Sequence, residues 1–187
     1  MEHDTIDYVI QGFIAVGTVG TLIAALFQIW RDRSLRLKEK RKEQAVNVAA
    51  WFEDVVLSSE YPGNQNHAFR SLLIRNDNLT PIYDVVITVV GLHGAGPHRH
   101  GECNEGDFAF RTLIPQVATG LWGTWIDTGG GGMGVICALE MSFRDSAGTS
   151  WIRRGNGELI KIKKTPLTYY SIPLPASWKW AERIVRE

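Results

Sequence analysis

Apolar residues along the chain follow three successive patterns: an uninterrupted run, a helical spacing and a strand-like alternation. The uninterrupted run extends from Tyr8 to Trp30, where 23 residues carry no formal charge. As a helix this run would be about 35 Å long, more than the hydrocarbon core of about 30 Å. Tyr8 and Trp30 lie at its ends, where amphipathic rings favour the headgroup region. The pattern predicts a transmembrane helix over residues 8–30, preceded by a short extracytoplasmic tail at residues 1–7.

Two alternatives exist for this run. A cleaved signal peptide would need basic residues before the run and a small-residue cleavage site after it. The preceding residues are instead acidic (Glu2, Asp4 and Asp7). A buried helix of a soluble domain is the second alternative, but such helices are usually shorter and carry a polar stripe. We favour the membrane helix.

Charge is distributed unevenly around the run, although the formal net charge of the chain is zero. Residues 31–44 hold seven Lys/Arg against three acidic residues. Basic flanks are retained in the cytoplasm, so we expect a single-pass protein of the inner (plasma) membrane with its N-terminus outside and residues 31–187 inside. Anionic lipid would also attract these basic residues, by about 1 kcal/mol each near the surface. The predicted membrane-surface residues are Arg31, Arg33, Arg36, Lys38, Lys40, Arg41 and Lys42.

Small residues in the anchor recur at four-residue spacing. One row holds Gly17, Thr21 and Ala25, and a second holds Gly20 and Ala24. This spacing lets two helix backbones approach closely in lipid, which favours a homodimer through the anchor. Gly and Ala are also common in membrane helices in general, so monomer and dimer both remain open.

The second pattern is helical. The stretch from residue 31 to 44 lacks Gly and Pro, and apolar residues then recur every three to four positions from Ala45 to Val56. We therefore predict a basic juxtamembrane and amphipathic helix over residues 31–57. A loop follows around Pro62 and Gly63.

The third pattern is alternation with a period of two, from about residue 68. The predicted strands are FRSLLIRN, IYDVVITVV, LWGTWID, VICALEMSFR, SWIRR and ELIKIKK. They are separated by Gly, Pro and Asn turns, which indicates an all-β antiparallel sandwich, Ig-like, over residues 68–165. Within it, Asp145 and Gly148 fit a hairpin turn. Residues 166–187 form a predicted Pro-containing tail with a short amphipathic C-terminal helix, whose apolar face includes Trp178, Ala181, Ile184 and Val185.

The stretches IRNDNLTPIYDVVITV and FRDSAGTSWIRRGNGEL, with the apolar span and basic linker, resemble small single-pass membrane proteins of actinobacteria and their phages. The shared positions are Arg75, Asn76, Pro81, Tyr83, Asp84 and Val85, then Phe143, Asp145, Gly148, Trp151 and Arg153. The resemblance covers roughly three quarters of the chain. It implies a cytoplasmic β-sandwich on a membrane tether, without an established activity.

One loop contains residue types that bind metals. His93, His98, His100 and Cys103 lie within eleven residues, and imidazole and thiolate ligands suit zinc or copper. Their spacing matches no established zinc pattern, so we favour a surface loop that contains these residues by chance. A metal or ligand sensor that uses residues 93–103 is the alternative function.

Catalytic chemistry has little support in the sequence. The glycines of DTGGGGMG lack the Lys-Ser/Thr and the helix of a phosphate-binding loop. No Gly-x-Ser-x-Gly elbow is present, and Asp84, Asp127, Glu140 and Asp145 fall at strand edges or turns, where solvated carboxylates are ordinary. Cys103 and Cys137 form no disulfide framework. We expect neither an enzyme nor a cofactor.

These patterns together favour a membrane-tethered protein-interaction module with a cytoplasmic β-sandwich. An adaptor or scaffold is one version, and interference between phage and host, which depends on the resemblance, is another. The expected partners are the lipid bilayer and a protein of unknown identity. Specific nucleic-acid binding is not expected, because only the short basic segment carries excess positive charge.

Overall fold

The computed structural model of this chain describes residues 25–33, 35–36, 39, 42–54, 57–60, 62, 69–93, 110–128 and 136–185, with the backbone alone at 91–93 and 136. Residues 1–43 and 44–187 form two compact units. In the first unit the described residues are helical and exposed. No helix within the described ranges is both long and apolar enough to cross a membrane. Residues 1–24, which include most of the predicted span, lie outside those ranges.

The second unit begins with the end of a helix, at residues 44–46, and continues mainly as β-structure. Its described elements are β1 Val48–Phe52, β2 Phe69–Asn76, β3 Ile82–His93, β4 Arg111–Val117, β5 Gly120–Asp127, β6 Ile136–Arg144, β7 Ser150–Arg153, β8 Leu159–Ile162, a one-turn helix α1 Pro166–Tyr169, and β9 Glu182–Arg183.

The strands form two antiparallel sheets, with orders β1-β2-β5-β9 and β4-β3-β6-β7-β8. Their facing surfaces enclose one apolar core, to which β1, β2 and β5 contribute from one side and β3, β4, β6 and β7 from the other. The predicted antiparallel sandwich is thereby confirmed. So is the alternation in β3, because Val85, Ile87 and Val89 lie in this core whereas Val86 belongs to a second apolar cluster.

The predicted helix over residues 31–57 is wrong at residues 48–54. Residues 48–52 are β1, which pairs with β2 from Val48 opposite Asn76 to Phe52 opposite Leu72. The apolar residues of this stretch suit either a helix stripe or a strand, and pairing with β2 decides between them because Val48 becomes fully buried in the core. The sandwich consequently starts at residue 48 rather than 68.

The predicted C-terminal helix is also wrong. Residues 176–181 have no regular structure, and Glu182–Arg183 form β9, which pairs with Gly123 and Trp122 of β5. Ile184 and Leu57 pack so closely on Gly123 that a side chain there would come within 2.5 Å of Leu57 and 3.1 Å of Ile184. The sandwich therefore extends beyond residue 165 to residue 183. The short helix of this region is α1, which begins after Thr165, whose hydroxyl accepts a hydrogen bond from the Thr168 amide at 3.3 Å.

A buried turn carboxylate organises the β6–β7 hairpin. Asp145 Oδ1 accepts hydrogen bonds from the amides of Ala147 at 3.0 Å and Thr149 at 2.7 Å, and Oδ2 accepts one from Trp151 Nε1 at 2.9 Å. Gly148 has a φ of 78°, which suits glycine. The predicted hairpin turn is confirmed, but Asp145 is only 4% exposed and is not a solvated carboxylate.

Arg153 connects β7 to the end of the helix at residues 44–46. Its guanidinium donates hydrogen bonds to the carbonyls of Val46 at 3.1 Å, Ala45 at 3.4 Å and Val48 at 3.0 Å. Burial lowers the pKa of Arg153. Asn78 Nδ2, in the β2–β3 turn, donates to the Gln44 carbonyl at 2.9 Å. These side chains provide partners for carbonyls that a helix end leaves without helical hydrogen bonds.

We expect Arg153→Met to loosen this junction. Methionine retains the apolar contacts of the side chain but donates no hydrogen bonds, at a cost of about 2 kcal/mol. Hydrogen exchange followed by mass spectrometry should show faster exchange across residues 44–52 of the full-length chain. The exposed Lys161→Met on β8 is the control and should exchange like the unmodified protein. Unchanged exchange in Arg153→Met would contradict the role of Arg153.

Candidate functional site

A cavity of about 540 Å³ lies between the strands and the C-terminal tail, defined here as residues 170–185. The strands contribute Phe69, Arg111, Leu113 and Asp127 to its lining. The tail contributes Ile172, Pro173, Pro175, Ala176, Ser177 and Lys179. Cavities of about 300–1,000 Å³ with mainly apolar walls and a few polar groups are typical of ligand sites.

The cavity lies at one end of the sandwich. Phe69 starts β2, Arg111 starts β4 and Asp127 ends β5. Residues 44–47 contact the opposite end, because the Asp77 amide, just after β2, donates to the Asn47 carbonyl at 3.0 Å. Seven residue steps along β2 separate Phe69 from Asn76, which is about 23 Å at the usual strand rise. Residues 44–47 thus lie at the end of the sandwich remote from the cavity.

The tail forms one wall of the cavity and is fixed at several points. The Lys179 amide donates to the Leu113 carbonyl of β4 at 2.7 Å. Farther along, the Ile184 amide donates to the Leu121 carbonyl of β5 at 2.9 Å. Because the tail is bonded to both sheets, the cavity wall is part of the folded domain.

Arg111 contributes a positive charge to the wall. It is 8% exposed, and its guanidinium lies 4.8 Å from the centre of the Tyr170 ring. A guanidinium over an aromatic face gains about 0.5–2 kcal/mol, depending on burial. The tyrosine therefore helps to set the position of this guanidinium.

Beside Arg111, the outer face of the five-stranded sheet carries a buried carboxylate. Glu140 of β6 has no exposed surface, although the sequence predicted a solvated group there. Its Oε2 accepts a hydrogen bond from Arg154 Nη1 at 2.7 Å, and its Oε1 accepts one from the Tyr170 hydroxyl at 2.7 Å. In the strand registers, Thr88 lies opposite both Arg111 and Glu140. Arg111, Thr88 and Glu140 therefore form one row across three neighbouring strands, and this row connects the cavity wall to the buried carboxylate.

The pKa values of Tyr170 and Arg154 are shifted by burial and by their contacts with Glu140. Burial raises the pKa of Tyr170, and the charge and hydrogen bond of Glu140 raise it further. For Arg154, burial alone would lower the pKa, but the hydrogen bond and charge of Glu140 raise it overall. The arrangement keeps Tyr170 as a hydrogen-bond donor and Arg154 as a cation.

The predicted metal ligands lie mostly beyond the described residues. His98, His100 and Cys103 fall outside them, and only the backbone of His93 is described, at the end of β3. Among the described residues no group of three or more His, Cys, Asp or Glu side chains could hold a metal ion. Cys137 packs against the core. The pKa of its thiol is raised, because the effect of burial exceeds the opposing effect of the Arg70 charge.

The predicted membrane residues are described only in part. Gly17, Gly20, Thr21 and Ala24 of the helix-packing face fall outside the described residues, whereas Ala25 is helical and exposed. Of the basic set, Arg31, Arg33, Arg36 and Lys42 are helical and exposed. Lys38, Lys40 and Arg41 are not described.

The cavity was not predictable from the sequence patterns. Of its charged lining residues these patterns singled out only Asp127, as a solvated carboxylate, and the structure places Asp127 at 7% exposure. A signal for β4, the strand that carries Arg111, was present in RTLIPQV, which follows a Gly-rich stretch. Pro115 within it is typical of an edge strand, and β4 is indeed at a sheet edge.

Comparison of the chain with protein-family models, with curated proteins and with solved structures found no match. Function is therefore inferred from the chemistry of this chain's own residues.

We expect the stability of the domain to fall at high pH because of Tyr170. A tyrosine has an ordinary pKa of 10.0, and the pKa of Tyr170 is raised in the folded state. Below pH 10 the hydroxyl is protonated in both the folded and the unfolded state, so Tyr170 makes its full contribution to the unfolding free energy. Above pH 10 only the unfolded chain releases this proton, which lowers the unfolding free energy by up to about 1.4 kcal/mol per pH unit.

Denaturant unfolding of the full-length chain between pH 8.5 and 11 measures this effect. Tyr170→Phe should lose about 1.5–3 kcal/mol at pH 8.5, since a hydrogen bond to a charged group is removed, and it should show a shallower decline above pH 10. Tyr169→Phe is the matched control and should keep the decline. An identical pH profile in Tyr170→Phe and the unmodified chain would contradict this account.

Proposed function

We propose that this chain is a membrane-tethered protein-interaction module. Residues 8–30 anchor it in the plasma membrane, with the N-terminus outside, and the β-sandwich recognises a partner in the cytoplasm through the cavity end. Recognition here means binding without catalysis, as in an adaptor or scaffold. Interference between phage and host is the version that the family resemblance favours.

The observation that carries this proposal is the separation, within the second unit, between residues 44–46 and the cavity. The helical residues 44–46 are bonded to Arg153 and to the β2–β3 turn. The cavity lies at the other end of the strands, about 23 Å away along β2. We infer that the end of the sandwich opposite to residues 44–46 carries the recognition surface.

We further propose an Ig-like classification for the sandwich. The strand order supports it: β1-β2-β5 in one sheet and β4-β3-β6-β7 in the other correspond to the A-B-E and C′-C-F-G orders of immunoglobulin sandwiches. β9 then occupies the place beside strand E. In this architecture the loops gather at the two ends of the sandwich, and one such end commonly carries recognition.

The membrane anchor is supported by the described end of the predicted span. Leu26, Phe27, Ile29 and Trp30 are helical and each more than half exposed, at 58%, 59%, 54% and 69%. Large apolar side chains grouped on an exposed helix favour contact with lipid or with another protein. The basic residues that follow favour the cytoplasmic side for the sandwich.

We expect the two sides of the anchor to react differently with a membrane-impermeant maleimide. In a chain with Cys103→Ser and Cys137→Ala, Asp4→Cys should be labelled on intact cells. Ser177→Cys should be labelled only after the cells are permeabilised. The opposite labelling would place the sandwich outside, and labelling of both positions on intact cells would also contradict the proposed orientation.

We expect a partner to contact the cavity end. A photo-crosslinking phenylalanine analogue at position 177, which lines the cavity, should give a light-dependent adduct with one protein when the full-length chain is illuminated in its native cell. The same analogue at position 161, exposed on β8, is the matched control and should not yield that adduct. Equal adducts from both positions, or none from position 177, would contradict recognition at the cavity.

A further inference from the structure

The β2–β3 turn carries an apolar side chain that is almost completely exposed. Leu79 in this turn is 96% exposed, more than any other large apolar side chain among the described residues. Isolated apolar side chains on a surface are ordinary, so exposure alone assigns no contact to Leu79. What distinguishes this leucine is the set of hydrogen bonds that fixes the backbone on both sides of it.

A buried asparagine holds the two residues that flank Leu79. Asn76 has no exposed surface, and its Oδ1 accepts hydrogen bonds from the Asn78 amide at 3.1 Å and from Asn78 Nδ2 at 3.0 Å. Its Nδ2 donates to the Thr80 carbonyl at 3.0 Å, and the Ser146 hydroxyl bonds Thr80 Oγ1 at 3.1 Å. The turn therefore presents Leu79 from a fixed backbone, so little backbone freedom is lost when its side chain makes a contact.

The turn lies at the same end of the sandwich as residues 44–47. Asn78 Nδ2 donates to the Gln44 carbonyl at 2.9 Å, and the nearby Val46 is a second apolar residue that is 54% exposed. The charged residues next to Leu79 in sequence, Arg75 and Asp77, form an ion pair at 2.7 Å. Because these charges are paired, the turn approaches an apolar phase at a lower cost than unpaired charges would allow.

The length of the chain before this end limits which apolar phase Leu79 can meet. In the proposed topology, residues 8–30 lie in the bilayer. The chain from Trp30 to Gln44 then spans about 21 Å as a helix and at most about 50 Å when extended. Its basic residues also attract it to anionic lipid. The bilayer surface is thus always within reach at a high effective concentration, whereas a separate protein has to be encountered from solution.

We propose that Leu79 contacts the lipid interface of the membrane that anchors the chain. This inference rests on the proposed function and adds a second lipid contact, made by the sandwich itself. Full burial of a leucine side chain favours such a contact by at least about tenfold. The end of the sandwich with residues 44–47 then faces the bilayer, and the cavity end, about 23 Å away along β2, points away from it.

A fluorescent probe beside the turn tests this contact while Leu79 stays intact. Ala147 is exposed, and its neighbour Ser146 is bonded to Thr80. In the full-length chain with Cys103→Ser and Cys137→Ala, an NBD group is attached to Ala147→Cys, and the protein is reconstituted into liposomes of phosphatidylcholine and phosphatidylglycerol. A lipid with a nitroxide on its headgroup should quench this probe. It should leave the same probe on Ser177→Cys, at the cavity end, unquenched.

Two exposed leucines provide a matched pair of variants. Leu79→Ser should reduce the fraction of chains in lipid contact, and with it the quenching at position 147, by up to about tenfold. Leu174→Ser removes a leucine that is 71% exposed and lies beside the cavity, and it should leave the quenching unchanged. The difference between the two variants should persist in liposomes of phosphatidylcholine alone, because an apolar contact does not require charged lipid.

Flotation of the reconstituted chain with the liposomes reports the anchor separately. A chain that floats but shows no quenching at position 147, or equal quenching in Leu79→Ser and Leu174→Ser, would overturn the lipid contact and leave the proposed anchor intact. In that case, a light-dependent protein adduct from a photo-crosslinking analogue at position 79 in the native cell would assign Leu79 to a protein partner instead. A chain that does not float would overturn both the lipid contact and the membrane anchor.

Discussion

The buried carboxylate of Glu140 is the interaction on which the cavity depends. A fully buried charge is costly unless it is paired and hydrogen-bonded, and removal of one partner from such a pair typically costs about 3–5 kcal/mol. Glu140 has partners in two other parts of the chain, Arg154 after β7 and Tyr170 at the start of the tail. Tyr170 in turn lies under Arg111. The requirement to neutralise one carboxylate thus fixes where the tail leaves the sheet and where the cation of the cavity lies.

The path of the tail after Tyr170 connects this buried carboxylate to both sheets. After Tyr170 it passes β4, where the Lys179 amide bonds Leu113, and it ends as β9 on the other sheet. On its way it covers an apolar cluster on the outer face of the five-stranded sheet, which includes Val86 and Ile152. Burial of that face stabilises the tail at about 25 cal/mol per Å² of apolar surface, and the cavity is the space that the tail leaves open near β4.

The sandwich was predictable from sequence because one face of each long strand packs on the core. Leu139, Met141 and Phe143 alternate with polar residues, and this period of two is incompatible with a helix. Glu140 shows why the candidate site was not predictable. It lies on the polar side of β6, which indicates exposure to solvent in a two-sheet sandwich. Its partners Arg154 and Tyr170 come 14 and 30 residues later in the chain. The helix predictions for β1 and for the C-terminal residues were wrong for a related reason. The apolar spacing of these segments fits both a helix and a strand, and long-range pairing with β2 and β5 selects the strand.

The two ends of the domain differ in the physical basis of their contacts. At the end where the helix joins, the connections are hydrogen bonds to main-chain carbonyls, from Arg153 and Asn78, which set a direction as well as a distance. At the cavity end, the contacts are apolar surfaces and a stacked cation, which tolerate a range of shapes and sequences in a ligand. The directional contacts keep the orientation of residues 44–47 on the sandwich constant. This combination suits the tethered recognition module proposed above, because its attachment has to be unique while its binding surface accommodates a partner.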